Sequence, residues 1–365
     1  MKILRIINSL AIGGAERSVV GNLPLHKKNG LDIEVLLLNG KKTFFLNQLK
    51  KDNIKVHSLG IDNNIYNPFL IIKLCKIIKN YDIIHAHLFP SLYWVAIAKF
   101  LVRSKVKLVF TEHSTHNRRK QNWFLRRIDK FIYSQYNVVI AISEAASLNL
   151  KESLEKNDKP EIVTINNGVD FKKLKQESLI VNKELKKKYI NKKIVLQIAA
   201  FRPEKDQETL IKSLLYLPEE YYVFFVGDGE RRVICEKLVE SLGFVDRVLF
   251  LGFQENVGSV ISLADIVIMS SHWEGFGRAA VEAMALDKPV IATNVPGLRD
   301  VVDNAGLLFD VGDSEHLSKL ILSLKDMEYY NLISRKCEER SKLYNIEFMV
   351  SAYEDVYKKV YNKVN

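Results

Sequence analysis

The chain has 365 residues, of which 47% are hydrophobic and 27% are charged. This length exceeds what one ordinary core accommodates, and this composition excludes extensive disorder, so we expect two domains. The cysteines Cys75, Cys235 and Cys337 are far apart and odd in number. That pattern excludes a disulfide framework and a zinc ribbon, and it is typical of a protein of the cytoplasm.

Positive charge is concentrated in the first half of the chain. Residues 1–170 contain 26 Lys and Arg against 14 Asp and Glu, a net charge of +12, whereas the remaining residues contain 28 against 29. This excess predicts an anionic partner, such as a phospholipid surface, a phosphorylated substrate or a nucleic acid. The alternative, a lysine-rich composition that only maintains solubility, leaves the neutral second half unexplained.

The predicted elements of the first half are short apolar strands separated by stretches of helical periodicity. The opening run contains charges and predicts a buried strand rather than a leader sequence. No apolar run reaches the roughly 20 residues that a membrane-spanning helix needs. Unbroken β-branched runs between helices are typical of parallel strands buried on both faces. The predicted strands are 3–7, 33–38, 54–58, 83–86, 108–111 and 138–142.

A turn-forming Asn-Asn-Gly and a Lys-rich polar stretch at 167–192 separate these strands from a second set. We therefore predict an α/β protein with two doubly wound, Rossmann-like domains, 1–170 and 171–345, and a final helix at 346–365 that could pack back on the first domain. Ligands of open parallel sheets bind beyond the carboxyl ends of the strands, so we expect an interdomain cleft where two substrates meet. The second set of predicted strands is 194–198, 222–226, 247–251, 266–269 and 289–292.

The most informative segment lies between the predicted strands 266–269 and 289–292. From residue 270 to residue 285 it reads SSHWEGFGRAAVEAMA. Gly275 and Gly277 stand where a helix is predicted to begin. Backbone N–H groups and the positive end of the helix dipole favour an anion at that position.

Two carboxylates flank this predicted anion site. Glu274 lies in the loop and Glu282 lies just over one turn into the helix, so both can point toward the cleft. Carboxylates accept paired hydrogen bonds from vicinal hydroxyls, and two of them beside a phosphate suit a sugar nucleotide. The alternative, a surface helix with two solvated glutamates, leaves Trp273 and Phe276 beside the glycines unexplained.

These residues resemble the family 4 retaining glycosyltransferases, whose hallmark is a Glu–seven residues–Glu motif inside E-G-F-G-x-x-x-x-E-A-M-A. The resemblance covers essentially the whole chain. It implies the GT-B architecture, a nucleotide-sugar donor on the C-terminal domain, an acceptor held mainly by the N-terminal domain, and no metal or other cofactor. It also implies that Glu274 orients the donor sugar and Glu282 holds the ribose. Asp287 stands where the family usually has Gly, a helix end that Asp tolerates.

A second matching region, residues 198–206, reads IAAFRPEKD. In the family an Arg and a Lys of this region grip the donor diphosphate and stabilise the charge that grows on the leaving group, a role in which a preorganised cation is effective. The resemblance assigns this role to Lys205. The family Arg stands five residues earlier, where this chain has Ala200. Arg202 is therefore the candidate cation, although it could equally be a solvated loop residue.

Other glycine loops complete the expected donor site. A glycine pair after the first strand is by itself only a tight turn, but here it matches a family loop that closes over the donor phosphates through the backbone N–H of Gly14. Phe253, after Gly252, resembles the place where the family's backbone contacts the nucleobase. The donor-binding candidates are Gly14, Arg202, Lys205, Phe253, Gly275, Phe276, Gly277, Arg278 and Glu282.

Histidines form a second group of candidates. His85 and His87 point to one face of a predicted strand, but no third metal ligand is indicated, so we predict no metal site. His113 follows a predicted strand and aligns with a family histidine near the reacting sugar, which implies a hydrogen bond to that sugar. We predict that His87 is structural. Many retaining members use a front-face route in which the departing phosphate accepts the acceptor's proton, so no protein nucleophile is predicted.

Residues 118–131 combine six cations with aromatic side chains near one helical face. This composition is typical of a helix at an anionic interface, but it equally fits an aromatic stripe packed on the sheet with solvated cations. Related bacterial enzymes that extend lipid-diphosphate-linked glycans have a similar segment. That likeness implies recognition of a polyprenyl-diphosphate-linked acceptor or of the membrane that carries it. The candidates are Arg118, Arg119, Lys120, Trp123, Arg126 and Arg127.

Together these features predict a retaining glycosyltransferase of surface-polysaccharide biosynthesis. We expect transfer of a hexose or N-acetylhexosamine from a nucleotide diphosphate sugar, UDP rather than GDP, to a lipid-linked glycan. We expect the protein in the cytoplasm, peripheral on the inner face of an anionic cell membrane, with no nucleic-acid partner. The alternatives are another GT-B enzyme, such as a nucleotide-sugar epimerase, and a non-catalytic basic protein that binds membranes or nucleic acids.

Overall fold

The computed structural model of the protein describes residues 1–11, 13–61, 64–114, 123–154 and 160–363, with the backbone alone for Phe124. The chain forms two compact units. The first unit comprises Met1–Gly168 together with Ile346–Asn365, and the second comprises Val169–Asn345. The corresponding divisions in the sequence analysis are at residues 170 and 345.

The first unit is built on one sheet of parallel strands. These are β1 Lys2–Ile7, β2 Asp32–Leu37, β3 Val56–Ser58, β4 Ile83–His87, β5 Lys107–Glu112, β6 Val138–Ala141 and β7 Glu161–Thr164. Their order across the sheet is β3-β2-β1-β4-β5-β6-β7, so the direction of winding reverses between β1 and β4. Ligands of doubly wound sheets bind beyond the carboxyl ends of the strands at such a reversal.

Apolar side chains cover both faces of this sheet, because successive residues of a strand point to opposite sides. Along β1, Ile3 and Ile7 lie in one buried cluster, whereas Leu4 and Ile6 lie in the other. The helices that pack on the two faces follow the strands in turn. They are α1 Gly14–Lys28, α2 Phe44–Lys51, α3 Leu70–Ile77, α4 Ser91–Leu101, α5 Trp123–Ser134 and α6 Glu144–Leu154.

The second unit repeats this architecture with six parallel strands. These are β8 Lys193–Ile198, β9 Tyr221–Val226, β10 Val248–Phe250, β11 Ile266–Met269, β12 Val290–Thr293 and β13 Leu307–Phe309. Their order is β10-β9-β8-β11-β12-β13, which is the order of the dinucleotide-binding fold. The reversal of winding therefore lies between β8 and β11.

Helices of the second unit begin at residues suited to that position. Five of them start at an Asp or Asn whose side chain accepts a hydrogen bond from a backbone N–H of the first turn, at Asp170, Asn182, Asp206, Asp313 and Asp326. The helices are α7 Phe171–Ser178, α8 Lys183–Lys188, α9 Gln207–Ser213, α10 Arg232–Ser241, α11 Val257–Leu263, α12 Arg278–Met284, α13 Leu298–Val302, α14 Ser314–Ser323 and α15 Met327–Ser341.

The last helix, α16 (Ile346–Asn362), returns to the first unit. Its apolar side chains, among them Met349 and Val350, are buried in the same cluster as Ile3 and Ile7. The backbone of Gly168 lies so close to Ile346 that an added Cβ would come within 2.5 Å of the Cα of Ile346. Glycine at this position allows the start of α16 to pack against the end of the first unit.

The structure confirms the predicted α/β class with two doubly wound, Rossmann-like parallel sheets. The edge strands β7 and β13 were not predicted from the sequence. Both are short, and β7 is only partly buried along its whole length. A partly buried edge strand needs fewer apolar residues than the unbroken runs used to find the central strands. Within the ranges that the structure describes, no helix has the length and apolar character needed to cross a bilayer.

Candidate functional site

The predicted motif residues of the second unit lie at the reversal between β8 and β11. Residues 199–206 follow the carboxyl end of β8, and residues 270–277 follow the carboxyl end of β11. Because the two strands pair in parallel, both segments leave the sheet at the same edge. This is the edge at which doubly wound sheets bind their ligands.

Lys205 and Glu274 meet at this edge. The Nζ of Lys205 donates a hydrogen bond to Oε2 of Glu274, and the side chains are 19% and 17% exposed. The backbone N–H of Gly275 lies 3.3 Å from Oε1 of the same glutamate. The predicted cation and the first glutamate of the motif therefore form one partly accessible ion pair.

Gly277 directs the chain from this loop into α12. Its φ of 88° and ψ of 50° are left-handed, a conformation that glycine adopts without strain. At the start of α12, Nε of Arg278 lies 2.9 Å from Oε1 of Glu282, and the side chain of Glu282 is buried whereas that of Arg278 is partly exposed. The second glutamate of the motif is thus oriented by an arginine four residues before it, a pairing that the sequence analysis did not predict.

Gly297 permits a third segment to approach the motif. Its φ is +87°, and a Cβ at this position would lie 2.4 Å from the carbonyl oxygen of Glu274. No side chain fits at that distance without moving the backbone of the loop. Sequence reasoning missed this residue because the contact joins a loop after β12 to the motif, and nothing local to Gly297 indicates it.

The other residues of the second unit that were predicted to bind the nucleotide-sugar donor differ in how far their side chains are buried. The ring of Phe276 is buried and packs edge-on against Tyr344 at 5.3 Å, so only its backbone is suited to contact a ligand. Phe253 is half-buried beyond β10, at the same edge of the sheet. The side chain of Arg202 is exposed, and no ion pair connects it to another residue in the described ranges.

Gly14 and His113 belong to the first unit, where Gly14 begins α1 and His113 follows β5. A polar contact connects the loops at the reversal in this unit. The side-chain amide of Asn8 donates to the carbonyl of Phe89 at 2.8 Å, and its oxygen accepts from the Ser91 hydroxyl at 2.7 Å. These contacts fix the loops after β1 and β4 next to each other.

Beneath this edge lies a fully buried arginine on β1. Arg5 donates to the side-chain oxygen of Asn22, to the Tyr357 hydroxyl at 3.0 Å, and to Nε2 of His26 at 2.8 Å. The opposite nitrogen of His26 lies 3.0 Å from a carboxylate oxygen of Glu354. Because arginine can only donate, Nε2 of His26 is the acceptor and Nδ1 carries the proton that faces the carboxylate. Helix α16 therefore supplies both the hydroxyl and the negative charge that accompany Arg5.

A chain of hydrogen bonds continues from Arg5 to His85 of the histidine motif. Tyr357 accepts from Arg5, so its own proton faces Nδ1 of His85 at 2.6 Å. The Nε2 of His85 then donates to the Thr111 hydroxyl at 2.7 Å. His85 is therefore a neutral, structural histidine of the core.

His87 and His113 form a pair above His85. The rings of His85 and His87 stack with centroids 4.2 Å apart, and Nδ1 of His87 lies 3.1 Å from Nε2 of His113. Burial and the Arg5 charge lower the pKa of His113 to about 4. The Nε2 of His87 is buried without a hydrogen-bond partner among the described residues.

The stability of the protein is expected to fall steeply as the pH drops below about 6.5. Burial, with the charge of Arg5, lowers the pKa of His26 to about 2 and that of His113 to about 4, and it lowers the pKa values of His85 and His87 well below their usual range. Below pH 6.5 the unfolded chain binds protons that the folded chain does not. Each such histidine costs up to about 1.4 kcal/mol per pH unit.

Urea titrations of the full chain between pH 7.5 and pH 5.5 measure this effect. The expected result is a midpoint that decreases progressively over this interval, because folding excludes protons from these histidines. A midpoint that stays constant from pH 7.5 to pH 5.5 would mean that the histidines become charged inside the folded protein.

Part of the predicted basic helix is α5. Trp123 is 72% exposed, and Arg126 and Arg127 are exposed as well, whereas Ile128 packs against the core. Phe131 is also exposed and contacts Phe100 of α4 edge-on at 5.3 Å. The aromatic side chains therefore do not all pack on the sheet. The predicted candidates Arg118, Arg119 and Lys120 lie outside the described residues.

A cavity of about 300 Å³ lies between α5 and α6. Glu112, Arg126, Asp129 and Tyr133 are among the residues that line it. Among the described residues, no group of three or more His, Cys, Asp or Glu side chains is arranged to hold a metal ion.

Two family models match the chain, one in each half. Residues 12–173 match the model described as Glycosyltransferase Family 4, and residues 180–344 match the model described as Glycosyl transferases group 1. Together they cover most of both units and include the donor-site candidates from Gly14 to Glu282.

Two relatives match nearly the whole length of the chain. It is 30% identical over 343 residues to N-acetyl-alpha-D-glucosaminyl L-malate synthase of Bacillus anthracis, a match that covers 89% of this chain and 88% of that protein. It is 23% identical, over 93% of this chain and 94% of the relative, to the N-acetylgalactosamine-N,N'-diacetylbacillosaminyl-diphospho-undecaprenol 4-alpha-N-acetylgalactosaminyltransferase of Campylobacter jejuni.

A solved structure shares the fold over nearly the whole chain. The structure of Anabaena Alr3699/HepE in complex with UDP-glucose superimposes with a TM-score of 0.86 at 24% identity, and the match covers 98% of this chain and 100% of that protein. At 24% identity, this similarity shows that the two proteins share a fold.

Proposed function

Because the chain belongs to the family 4 glycosyltransferases, we propose that it transfers a hexose or N-acetylhexosamine from a UDP-sugar to a lipid-linked glycan acceptor in surface-polysaccharide biosynthesis. Glycosyl transfer follows from the family, and the GT-B fold accords with it. We further propose that the anomeric configuration is retained and that neither a metal nor another cofactor takes part.

The ion pair of Lys205 and Glu274 is the observation that carries this proposal. It lies at the ligand-binding edge of the second sheet, where the motif loop and α12 begin. A bound diphosphate would supply a new counter-charge for Lys205. Glu274 would then accept hydrogen bonds from sugar hydroxyls while it remained within reach of the same ammonium group. The ion pair thus holds both side chains near the position where the diphosphate of the donor would be joined to its sugar.

Other residues of this edge suit the rest of the nucleotide. We assign the ribose to Glu282, whose carboxylate is oriented by Arg278, and the base to the backbone near Phe253. The amides of Gly275, Phe276, Gly277 and Arg278 would donate to the diphosphate. Arg202 has the exposure expected of a cation that pairs only when an anionic ligand is bound.

The assignments of Gly14 and His113 rest on the family resemblance. His113 has the chemistry for its role, because its low pKa keeps the imidazole neutral at physiological pH. Its Nδ1 makes no hydrogen bond to the part of the chain that the structure describes. A neutral imidazole can donate one hydrogen bond to a sugar hydroxyl without adding a charge to the site.

We propose a front-face route for the reaction, because no protein nucleophile is assigned. The bond between the anomeric carbon and the donor phosphate oxygen breaks while the acceptor oxygen bonds to the same face of that carbon. The proton of the acceptor hydroxyl passes to the departing phosphate. Lys205 would neutralise the charge that develops on this phosphate, and Glu274 would hold the sugar in the reactive orientation.

Two measurements test the proposed activity. A thermal-shift panel of UDP, GDP, ADP and their sugar conjugates should show the largest stabilisation with the UDP compounds, because a ligand that binds only the folded state raises its melting temperature. Incubation with UDP-sugars and a polyprenyl-diphosphate-linked glycan should release UDP and lengthen the acceptor, with an α-anomeric product from an α-linked donor. Isomerised nucleotide sugar without a lengthened acceptor would indicate an epimerase instead.

We also propose that the first unit binds an anionic membrane, which would place the enzyme in the cytoplasm at the inner face of the cell membrane. Exposed aromatic side chains on α4 and α5 lie beside the exposed guanidinium groups of Arg126 and Arg127. This combination favours the interface of a bilayer with acidic lipids. A lipid-linked acceptor would then be presented on the same surface.

Vesicle sedimentation tests this membrane proposal. Glu substitution of Arg126, Arg127 and Lys130 should lower the partition coefficient onto vesicles with acidic lipids by about 10²-fold or more, since each cation near the surface contributes about 1 kcal/mol. The exposed lysines 186–188 of α8 offer a matched charge-reversal control in the second unit, and their substitution should leave binding nearly unchanged. Equal binding of the α5 variant and the wild type would contradict the proposal.

A further inference from the structure

A buried glutamine lies beneath the ion pair of Lys205 and Glu274. Gln197 is in the central strand β8 and is 1% exposed. Its neighbours in the strand, among them Val195 and Leu196, are apolar and buried. A polar side chain at such a position has a cost unless its hydrogen bonds are made, so its presence calls for an explanation.

The amide nitrogen of Gln197 connects the two segments that carry the ion pair. It donates to the carbonyl oxygen of Lys205 at 2.9 Å and to the hydroxyl of Ser270 at 3.0 Å. Because the carbonyl oxygen can only accept, the orientation of the amide group is determined. One NH₂ group therefore bonds both to the backbone of the lysine and to the segment that leads to Glu274.

Ser270 extends this connection. Its hydroxyl accepts from Gln197 and lies 2.7 Å from the carbonyl oxygen of Asp206, to which it donates. A backbone hydrogen bond of 2.9 Å joins the N–H of His272 to the carbonyl of Glu204. The backbone on both sides of Lys205 is thus held against the segment after β11, which fixes where the lysine side chain begins relative to Glu274.

The oxygen atom of the Gln197 side-chain amide does not take part in these connections. This Oε1 is buried and has no hydrogen-bond partner within the ranges that the structure describes. An apolar side chain of similar size would avoid this unpaired acceptor. Gln197 is therefore less favourable for stability than an apolar residue would be, but its NH₂ group holds Lys205 in place. Such a local loss of stability is expected at a functional site.

We propose that Gln197 is a positioning residue for the transfer reaction, which sets the place of Lys205 relative to Glu274 through the Lys205 carbonyl and Ser270. The proposal rests on the proposed function of that ion pair. Gln197 itself does not touch the substrates, and its effect on the reaction passes through Lys205.

Gln197→Met tests this role, because methionine has a similar volume and no hydrogen-bond donor. We expect kcat to fall about 10-fold to 100-fold, with the melting temperature within a few degrees of the wild type. The matched control is Gln207→Met. Gln207 is also a buried glutamine, but it donates to the carbonyl of Ala200 in the same segment rather than to Lys205. This control should change kcat by less than threefold.

A double-mutant cycle distinguishes positioning of Lys205 from a general structural role. In the Lys205→Ala background, Gln197→Met should lower the residual kcat by less than twofold, because the side chain that it positions is gone. The proposal is overturned if Gln197→Met lowers kcat by the same factor in the wild-type and Lys205→Ala backgrounds. It is also overturned if Gln197→Met alone leaves kcat unchanged. Should Gln197→Met not fold, Ser270→Ala removes the second connection and serves in the same cycle.

The failure of this proposal is separable from the failure of the proposed function. If the wild type shows no glycosyl transfer and no binding of UDP, the proposed function is wrong. If the wild type transfers sugar and Lys205→Ala is impaired while Gln197→Met is not, only the positioning role is wrong.

Discussion

Glu274→Ala is expected to lower kcat/KM for glycosyl transfer by about 10²-fold to 10³-fold. The substitution removes the carboxylate that pairs with Lys205 and that would orient the donor sugar. Glu274→Gln should lower the rate less, because the amide keeps one acceptor oxygen for the sugar hydroxyls. Initial-rate measurements of UDP release with saturating acceptor test both expectations.

The stability of this variant should change little, because the ion pair is partly exposed and removal of Glu274 leaves Lys205 with access to solvent. Glu315→Ala is a suitable control, since it removes the carboxylate of another ion pair of the second unit, with Lys319 at 2.7 Å. It should leave kcat/KM unchanged. Transfer by Glu274→Ala at more than a third of the wild-type rate would contradict the role of Glu274.

Gly297→Ala is expected to impair both stability and activity. The alanine Cβ would lie 2.4 Å from the carbonyl oxygen of Glu274, and the φ of +87° disfavours any side chain. We expect a loss of about 2–4 kcal/mol of stability from the combined strain and clash. Displacement of the Glu274 backbone should reduce kcat by about 10²-fold. Denaturant titration and initial rates measure the two effects.

Gly312 provides the matched control for this substitution. It also has a positive φ, of +80°, but no atom lies within 4 Å of the position that a Cβ would take. Gly312→Ala should therefore cost about 1–2 kcal/mol from the backbone conformation alone and leave kcat unchanged. If the two variants are equally active, the close contact between Gly297 and the motif loop has no role in placing Glu274.

The central strands and the motif were predictable from the sequence for physical reasons. Strands buried on both faces must be apolar throughout, so runs such as those of β1 and β8 are recognisable without tertiary information. Glu274 and Glu282 were found because the glycine-containing loop and the helix that carry them directly follow such a strand, whereas Lys205 was assigned from the family resemblance of residues 198–206. The edge strand β7 escaped detection because its partly buried residues carry a weaker pattern.

The partners of the buried polar residues Arg5 and Gln197 were not predictable, because they come from distant parts of the chain. Arg5 stands out as a charge inside an apolar strand, but its partner Tyr357 belongs to the last helix. Gln197 likewise stands out in an apolar run, and that signal could have marked it for attention. Its contact with Ser270, however, depends on the pairing of β8 with β11.

The proposed function requires that the edge formed by residues 202–206 and 274–280 binds the diphosphate and sugar of the donor. Hydrogen–deuterium exchange of the full chain with and without UDP measures whether the nucleotide binds at this edge. We expect slower exchange at the backbone amides of 202–206 and 275–280 when UDP is bound, and loss of this protection in Lys205→Ala. Stabilisation of the protein by UDP with unchanged exchange in both segments would contradict this expectation, because the nucleotide would then bind elsewhere.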